Sequence, residues 1–227
     1  MEFTDQLYDY LRDCGAQLVG FADMSGDGNP DYPRAISVGI PVPVNIVKTL
    51  KNAPNKAYYD TYHEMNDRLN RIVTDGAKYL IDRGYRAVAM TTEKIKINRD
   101  RWISDFPHKT AAARAGLGWV GKSCLLVTTQ YGSAVRLSTI LTNAPLKTVD
   151  PIVESKCHDC NLCVKNCPAQ ALTGALWEAG MNRSELFNDQ KCYEKQVQIM
   201  MEQTGIEADL CGKCFAVCPF TQNYINE

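Results

Sequence analysis

The sequence predicts an α+β protein in two parts, a layered front portion over residues 1–150 and a small cysteine-rich portion over 151–227. Three observations predict it. Helix and strand periodicities follow one another in the order helix, two strands, helix, strand, the pattern of a sheet covered by helices. Eight of the ten cysteines lie beyond residue 156. Between them, Pro145 to Glu154 carries neither periodicity and marks a boundary. The length of 227 residues suits one medium and one small domain, and 45% hydrophobic with 22% charged residues excludes a disordered chain.

The front elements follow in order. Phe3, Leu7, Tyr10 and Leu11 recur at helical spacing until Cys14-Gly15, giving a helix over Thr4 to Cys14. Gln17 to Ala22 and Ala35 to Ile40 read as strands around a Gly-, Asp- and Pro-rich loop, the second stopped by Pro41 and Pro43. A short helix is expected at Val44 to Leu50. A long one follows over Tyr58 to Arg83, where Tyr58, Tyr62, Met65, Leu69, Ile72 and Leu80 form a stripe and Gly84 can cap the end. Tyr85 to Met90 is a strand, Thr91 to Phe106 irregular, and Pro107 to Ala115 a helix entered at proline. Two more strands, Cys124 to Thr128 and Ala134 to Leu141, are joined by the turn-like Gln130 to Ser133.

The cysteines have a definite spacing. Cys157, Cys160, Cys163 and Cys167-Pro168 form the Cys-x-x-Cys-x-x-Cys-x-x-x-Cys-Pro run of bacterial ferredoxins. Cys211, Cys214 and Cys218-Pro219 repeat it without a first cysteine, for which Cys192 is the candidate replacement. In such runs the fourth cysteine crosses to the other cluster. The spacing therefore groups Cys157, Cys160, Cys163 and Cys218 around one [4Fe-4S] cluster, and Cys192, Cys211, Cys214 and Cys167 around another. Zinc sites pair two Cys-x-x-Cys hooks and leave the third evenly spaced cysteine unexplained. Cys14 and Cys124 fall outside the pattern and are expected to be buried, inert thiols.

Nothing at the N-terminus reads as a signal peptide, and no run approaches the ~18 apolar residues of a membrane span. A cytoplasmic, reducing location is expected, which also suits thiolate ligands. Net charge is −1, but Arg83 to Arg114 holds eight basic residues against three acidic ones. That stretch reads either as a solvated surface or as a landing strip for a phosphate-bearing cofactor or RNA.

A second constellation is Ala115-Gly116-Leu117-Gly118-Trp119-Val120-Gly121-Lys122. Its glycines permit close approach to a bulky ligand, Trp119 offers a flat face and Lys122 a cation. It lacks the glycine spacing of a phosphate loop. By chemistry alone it could equally be a turn between helix and strand.

Together with Pro107-His108-Lys109, Leu125-Leu126, Gly132-Ser133, the upstream Tyr62-His63 and the eight cysteines in one order, this motif resembles the epoxyqueuosine reductase family, whose relatives are the reductive dehalogenases. The resemblance implies a nitroreductase-like cobalamin-binding domain followed by a double [4Fe-4S] ferredoxin domain that feeds electrons to cobalt. It implies a cob(I)alamin that reductively removes oxygen or another leaving group. The cobalamin would have no axial histidine, in keeping with the absence of an Asp-x-His-x-x-Gly motif. Cofactor-binding positions implied are Tyr62, His63, Lys109, Gly116, Leu117, Gly118, Trp119, Val120, Gly121, Lys122, Gly132 and Ser133. Asp105 and His108 are the candidate catalytic proton donors, although Asp105 may not be equated with the family's Asp-(Ser/Thr)-Ala-Pro aspartate, because Ser104-Asp105-Phe106-Pro107 is spaced differently. The implied partners are a low-potential ferredoxin or flavodoxin and a small-molecule or nucleoside-like substrate. The chain ends eight residues after Pro219, so it reads as a short form without the C-terminal helical repeats that help longer members hold tRNA, which makes tRNA the less expected substrate. The alternative is an electron-transfer or corrinoid-handling protein without substrate chemistry of its own.

Overall fold

The computed structural model describes residues 2–26, 30–95, 97–98, 103–104 and 106–226. In chain order, its elements begin with α1 (Phe3–Asp13), β1 (Leu18–Asp23), β2 (Arg34–Pro41), α2 (Val44–Thr49), α3 (Lys56–Ile81) and β3 (Ala87–Met90). There follow β4 (Ile97–Asn98), β5 (Ile103–Ser104), α4 (His108–Arg114), β6 (Trp119–Val120), β7 (Leu126–Val127) and β8 (Val135–Thr142). The cysteine-rich end carries α5 (Leu162–Lys165), α6 (Arg183–Leu186), α7 (Asp189–Thr204), α8 (Lys213–Ala216) and α9 (Pro219–Asn226). By packing, the chain forms two compact units, one of residues 1–41, 65–118 and 136–152, the other of 42–64, 119–135 and 153–227. The last crossing, after Ile152, falls in the expected boundary segment; the earlier crossings have no signature in the sequence.

Unit 1 is built on a four-stranded sheet ordered β1-β2-β8-β3. β1 and β2 are antiparallel, with Leu18 opposite Gly39 and Asp23 opposite Arg34, and β3 pairs antiparallel with β8. Six consecutive residues of β2 are buried, as a strand covered on both faces requires. Leu7 and Leu11 of α1 and Leu69, Val73 and Leu80 of α3 supply bulk to the core. Against β1 and β2, α4 presents only Ala111, Ala112 and Ala113, so it lies close, and Ala22, Met24, Ala35, Ala111 and Ala115 form one cluster. Gly20 makes that approach possible, since a Cβ there would stand 2.8 Å from the Ala115 carbonyl oxygen.

The strand expectations around Gly132 need correction. Cys124 to Thr128 and Ala134 to Leu141 are not partners across a turn. β7 is only Leu126–Val127 and pairs with β6, while β8 enters the large sheet. The backbone bridge between Thr128 and Gly132 closes the link upon itself. Within the stretch expected to be irregular, β4 and β5 form a minimal antiparallel pair.

In unit 2 the segment 42–64 packs on the cysteine-rich end. Tyr58 meets Phe215 edge to face at 6.0 Å, Lys213 Nζ donates to the Asn52 carbonyl at 3.0 Å, and the Tyr224 hydroxyl donates to the Val42 carbonyl at 3.0 Å. α7 was not anticipated from the sequence. It starts on Asn188, whose side chain accepts from the Lys191 amide, and stops at left-handed Gly205, φ +71°.

Candidate functional site

The eight late cysteines all belong to unit 2. Cys157 and Cys160 sit on the loop before α5, Cys163 within it and Cys167 just after it; Cys192 is in the first turn of α7, Cys214 within α8, and Cys218 directly before α9. Burial, reinforced by Cys157, Cys218 and Cys160, pushes the Cys163 thiol up to about 11. Burial, with Cys167 and Cys211, does the same to Cys192, also to about 11. Cys214 is raised well above the ordinary thiol range by burial and by Cys211, Cys192, Cys163 and Cys167, so it stands where the two groups meet. The charges that act on Cys163 are those of Cys157, Cys218 and Cys160, those that act on Cys192 are those of Cys167 and Cys211, and Cys214 feels cysteines of both sets, an arrangement compatible with the grouping by spacing. Without a cation, crowding buried thiolates is unfavourable; a bound metal cluster supplies the positive charge that reverses the balance. Among the described residues, no three His, Cys, Asp or Glu side chains converge on a single-ion site. The corners of a cubane stand further apart than the ligands of one ion.

The first set lines a concave pocket together with Cys214, with Lys122, Lys156, Val127 and Phe220 on its walls. Lys122 is only 5% exposed, and its Nζ donates to Asn161 Oδ1 at 3.0 Å. Burial also raises the Cys218 thiol. In the second set, Cys192 Sγ accepts from Gln196 Nε2 at 3.2 Å and Cys167 Sγ from the Ala171 amide at 3.4 Å.

The glycine-tryptophan motif is divided between the units. Gly116, Leu117 and Gly118 follow α4 in unit 1, with Gly116 exposed at φ +69°. The rest lies with the cysteines. Trp119, 2% exposed, meets Phe220 edge to face at 5.0 Å and carries the Lys156 ammonium 5.8 Å from its ring centre. Val120 packs with Cys124, Leu186 and Phe187, and a Cβ on Gly121 would lie 3.4 Å from Cys157 Sγ. Gly132 and Ser133 are buried against the start of α9: a Cβ on Gly132 would collide with Thr221, and the Ser133 amide donates to Thr221 Oγ1 at 3.0 Å. Nothing in the sequence revealed that Ser133 reaches the start of α9. A serine after glycine in a turn has the common reading of a turn residue.

The remaining expected positions are dispersed. Asp105 lies outside the described residues. His108 opens α4 and shares a 2.9 Å hydrogen bond between its Nδ1 and Thr139 Oγ1, and burial, then Arg136, lowers its pKa to about 4. A neutral imidazole has no imidazolium proton to donate near neutrality, so the proton-donor expectation for His108 is not supported by its surroundings. Lys109 is half-buried in the same helix. In unit 2, His63 is exposed and packs edge to face on Tyr59 and Tyr62, at 4.5 and 5.5 Å. Cys124 is buried, while Cys14 is partly buried and its thiol is raised by burial. No helix among the described residues is long and apolar enough to cross a membrane.

This is an α+β chain carrying an iron-sulfur domain of the double-cluster class: residues 156–221 match the 4Fe-4S double cluster binding domain family. The chain is similar in sequence to epoxyqueuosine reductases. It is 28% identical over 211 residues to an epoxyqueuosine reductase of Lactococcus garvieae, covering 85% of this chain and 53% of that one. Among solved structures, an epoxyqueuosine reductase with an epoxyqueuosine-modified tRNA-Tyr stem loop superposes with a TM-score of 0.64 at 19% identity, covering 97% of this chain and 65% of the other. A reductive dehalogenase described in terms of B12-dependent dehalogenation gives a TM-score of 0.73 at 19% identity, covering 94% of this chain and 31% of the other. At those identities the structures establish a shared fold. The chain spans at most about half the length of the curated relatives it matches.

Proposed function

We propose that this chain is a cobalamin-dependent iron-sulfur reductase. The observation that carries the proposal is the match of residues 156–221, which hold all eight late cysteines, to a double-cluster domain family, supported by the mutual influence of these thiols within unit 2. Cys157, Cys160, Cys163 and Cys218 would hold one [4Fe-4S] cluster, and Cys167, Cys192, Cys211 and Cys214 the other. The pocket lined by Cys157, Cys160, Cys163, Cys214 and Cys218 supports this reading, because several converging cysteine sulfurs are the donor set that iron-sulfur clusters take. Cobalamin is supported by the kinship with epoxyqueuosine reductases and by the fold shared with a B12-dependent dehalogenase. Of the positions that the resemblance implies, exposed Gly116 and half-buried Leu117 and Lys109 lie in unit 1, where they suit a backbone approach and a phosphate or amide contact.

When bound, the clusters supply single electrons and the cobalamin a reduced cobalt that takes oxygen or another leaving group from a substrate. The chain's own residues then bind and orient. Neutral His108, anchored on Thr139, is suited to a hydrogen bond with substrate, and Asp105 is left as the candidate proton donor. Electrons would come from a low-potential ferredoxin or flavodoxin. The relatives' names make an epoxyqueuosine-like nucleoside the first substrate to test, free or within tRNA. The test is a titration of the cluster-loaded chain with cob(II)alamin, free of an axial protein histidine. A spectral shift that saturates near one corrin per chain is expected. No shift with both clusters intact would leave an electron-transfer protein instead.

A further inference from the structure

Cys192 lies outside both cysteine runs, and a continuous set of hydrogen bonds ties it to Cys167 of the first run. Gln170 takes the left-handed conformation at φ +48°, with its amide donating to the Cys167 carbonyl at 3.0 Å. That turn aims the amide of buried Ala171 back at Cys167 Sγ, 3.4 Å away. The Ala171 carbonyl in turn accepts the Asn188 amide at 2.8 Å, and the Asn188 carbonyl accepts the Cys192 amide at 3.2 Å in the first turn of α7. One turn further along, half-buried Gln196 reaches back and donates from Nε2 to Cys192 Sγ at 3.2 Å. A sulfur bound to iron carries no proton and can only accept, so the amide nitrogen is the end of Gln196 that suits it. Reduction of an iron-sulfur centre places more negative charge on its sulfurs, and donors held against them favour the reduced form.

We infer that Gln196 is a positioning residue for the centre that Cys192 ligates, acting through the Cys192 sulfur to raise that centre's reduction potential. The inference rests on the two-cluster reading. It adds a residue that neither the cysteine spacing nor the glycine-tryptophan motif contains. The link through Ala171 and Asn188 ties the start of α7 to the Cys167 turn, and Gln196 is thereby held over the ligand sulfur.

The test is an anaerobic redox titration of the cluster-loaded chain followed by electron paramagnetic resonance, after iron and sulfide have been counted. Gln196→Met, of similar length and helix propensity but without a donor, lowers one of the two midpoints and leaves the other in place. At the potential where the native centre is half reduced, its reduced-to-oxidised ratio falls about tenfold, or about 59 mV for one electron. Gln196→His, which keeps an uncharged N–H donor, restores most of the ratio. Gln196→Glu, of the same length but presenting a carboxylate to the sulfur, lowers the same midpoint and carries the test if Gln196→Met does not retain its iron. Unshifted midpoints in Gln196→Met and Gln196→Glu, with a full complement of iron and sulfide, overturn the inference and leave the two-cluster reading standing. Equal shifts of both midpoints overturn it as well, because the effect would then not pass through Cys192. A native chain loaded with zinc or without iron overturns the two-cluster reading itself, and metal analysis shows it before any titration.

Discussion

In unit 1 the largest buried side chains are hydrocarbons: Leu7, Leu11, Leu69, Leu80 and Ile140 fill the core, and alanines let α4 lie close to the sheet. The stretch from Val153 to Asn226 is built differently. Among its described residues, buried apolar side chains are few (Ala171, Leu186, Phe187, Met200, Leu210, Phe215, Ala216 and Ile225), and four of its helices are at most eight residues long. A segment of that size with so little core requires staples. Its staples are thiols, five of them raised chiefly by burial and so costly to ionise until metal arrives. The comparison leads to the prediction that the front sheet is stable through packing alone, whereas the cysteine-rich end folds with its metal.

The largest expected effect breaks that comparison directly. Chelation of iron under reducing conditions should collapse the short helices α5, α8 and α9 while the strands of unit 1 survive, as read by residue-resolved hydrogen exchange. Loss of protection in β1 and β2 to the same extent would show that the front sheet depends on the clusters too.

Acid attacks the other side. Burial and Arg136 hold His108 neutral, with a folded pKa of about 4 below the ordinary 6.5. Folding therefore prefers the deprotonated ring; this contribution is present above about pH 6.5 and is lost as pH falls towards 4. The loss is on the order of 3 kcal/mol at the acid end. Denaturant melts of native chain and His108→Gln between pH 7 and 4 should converge as pH falls, the variant having the flatter profile. Parallel profiles would remove His108 from the account.

Gly20→Val should destabilise unit 1 by roughly 1–3 kcal/mol, since the added carbons meet backbone at Ala115, which cannot swing aside. The iron content of the folded fraction should not change. The smallest effect is in the cysteine-rich end: Asn188→Ala removes the acceptor for the Lys191 amide and should cost α7 about 1 kcal/mol, seen as faster exchange in its first turn.

Much of this was legible in residue order because particular physical signals are local. Gly84 and Pro107 mark helix ends, the stripe from Met65 to Leu80 makes α3, and the cysteine intervals pair thiols that are far apart in the chain. The missed elements lack such signals. α7 mixes Gln, Lys, Glu and Met around its circumference, with Met200 its buried residue, so it offers no clear apolar stripe. β6 and β7 are two residues each, shorter than any periodicity can register. The division of the glycine-tryptophan motif after Gly118, and the hydrogen bond from the Ser133 amide to Thr221, arise from packing between segments far apart in the chain and have no trace in the local sequence.

The central claim is that unit 2 carries two [4Fe-4S] clusters, and iron and acid-labile sulfide analysis of the anaerobically purified chain tests it most directly. About eight of each per chain is the result expected from two cubanes. About four of each, or zinc in place of iron, would contradict it.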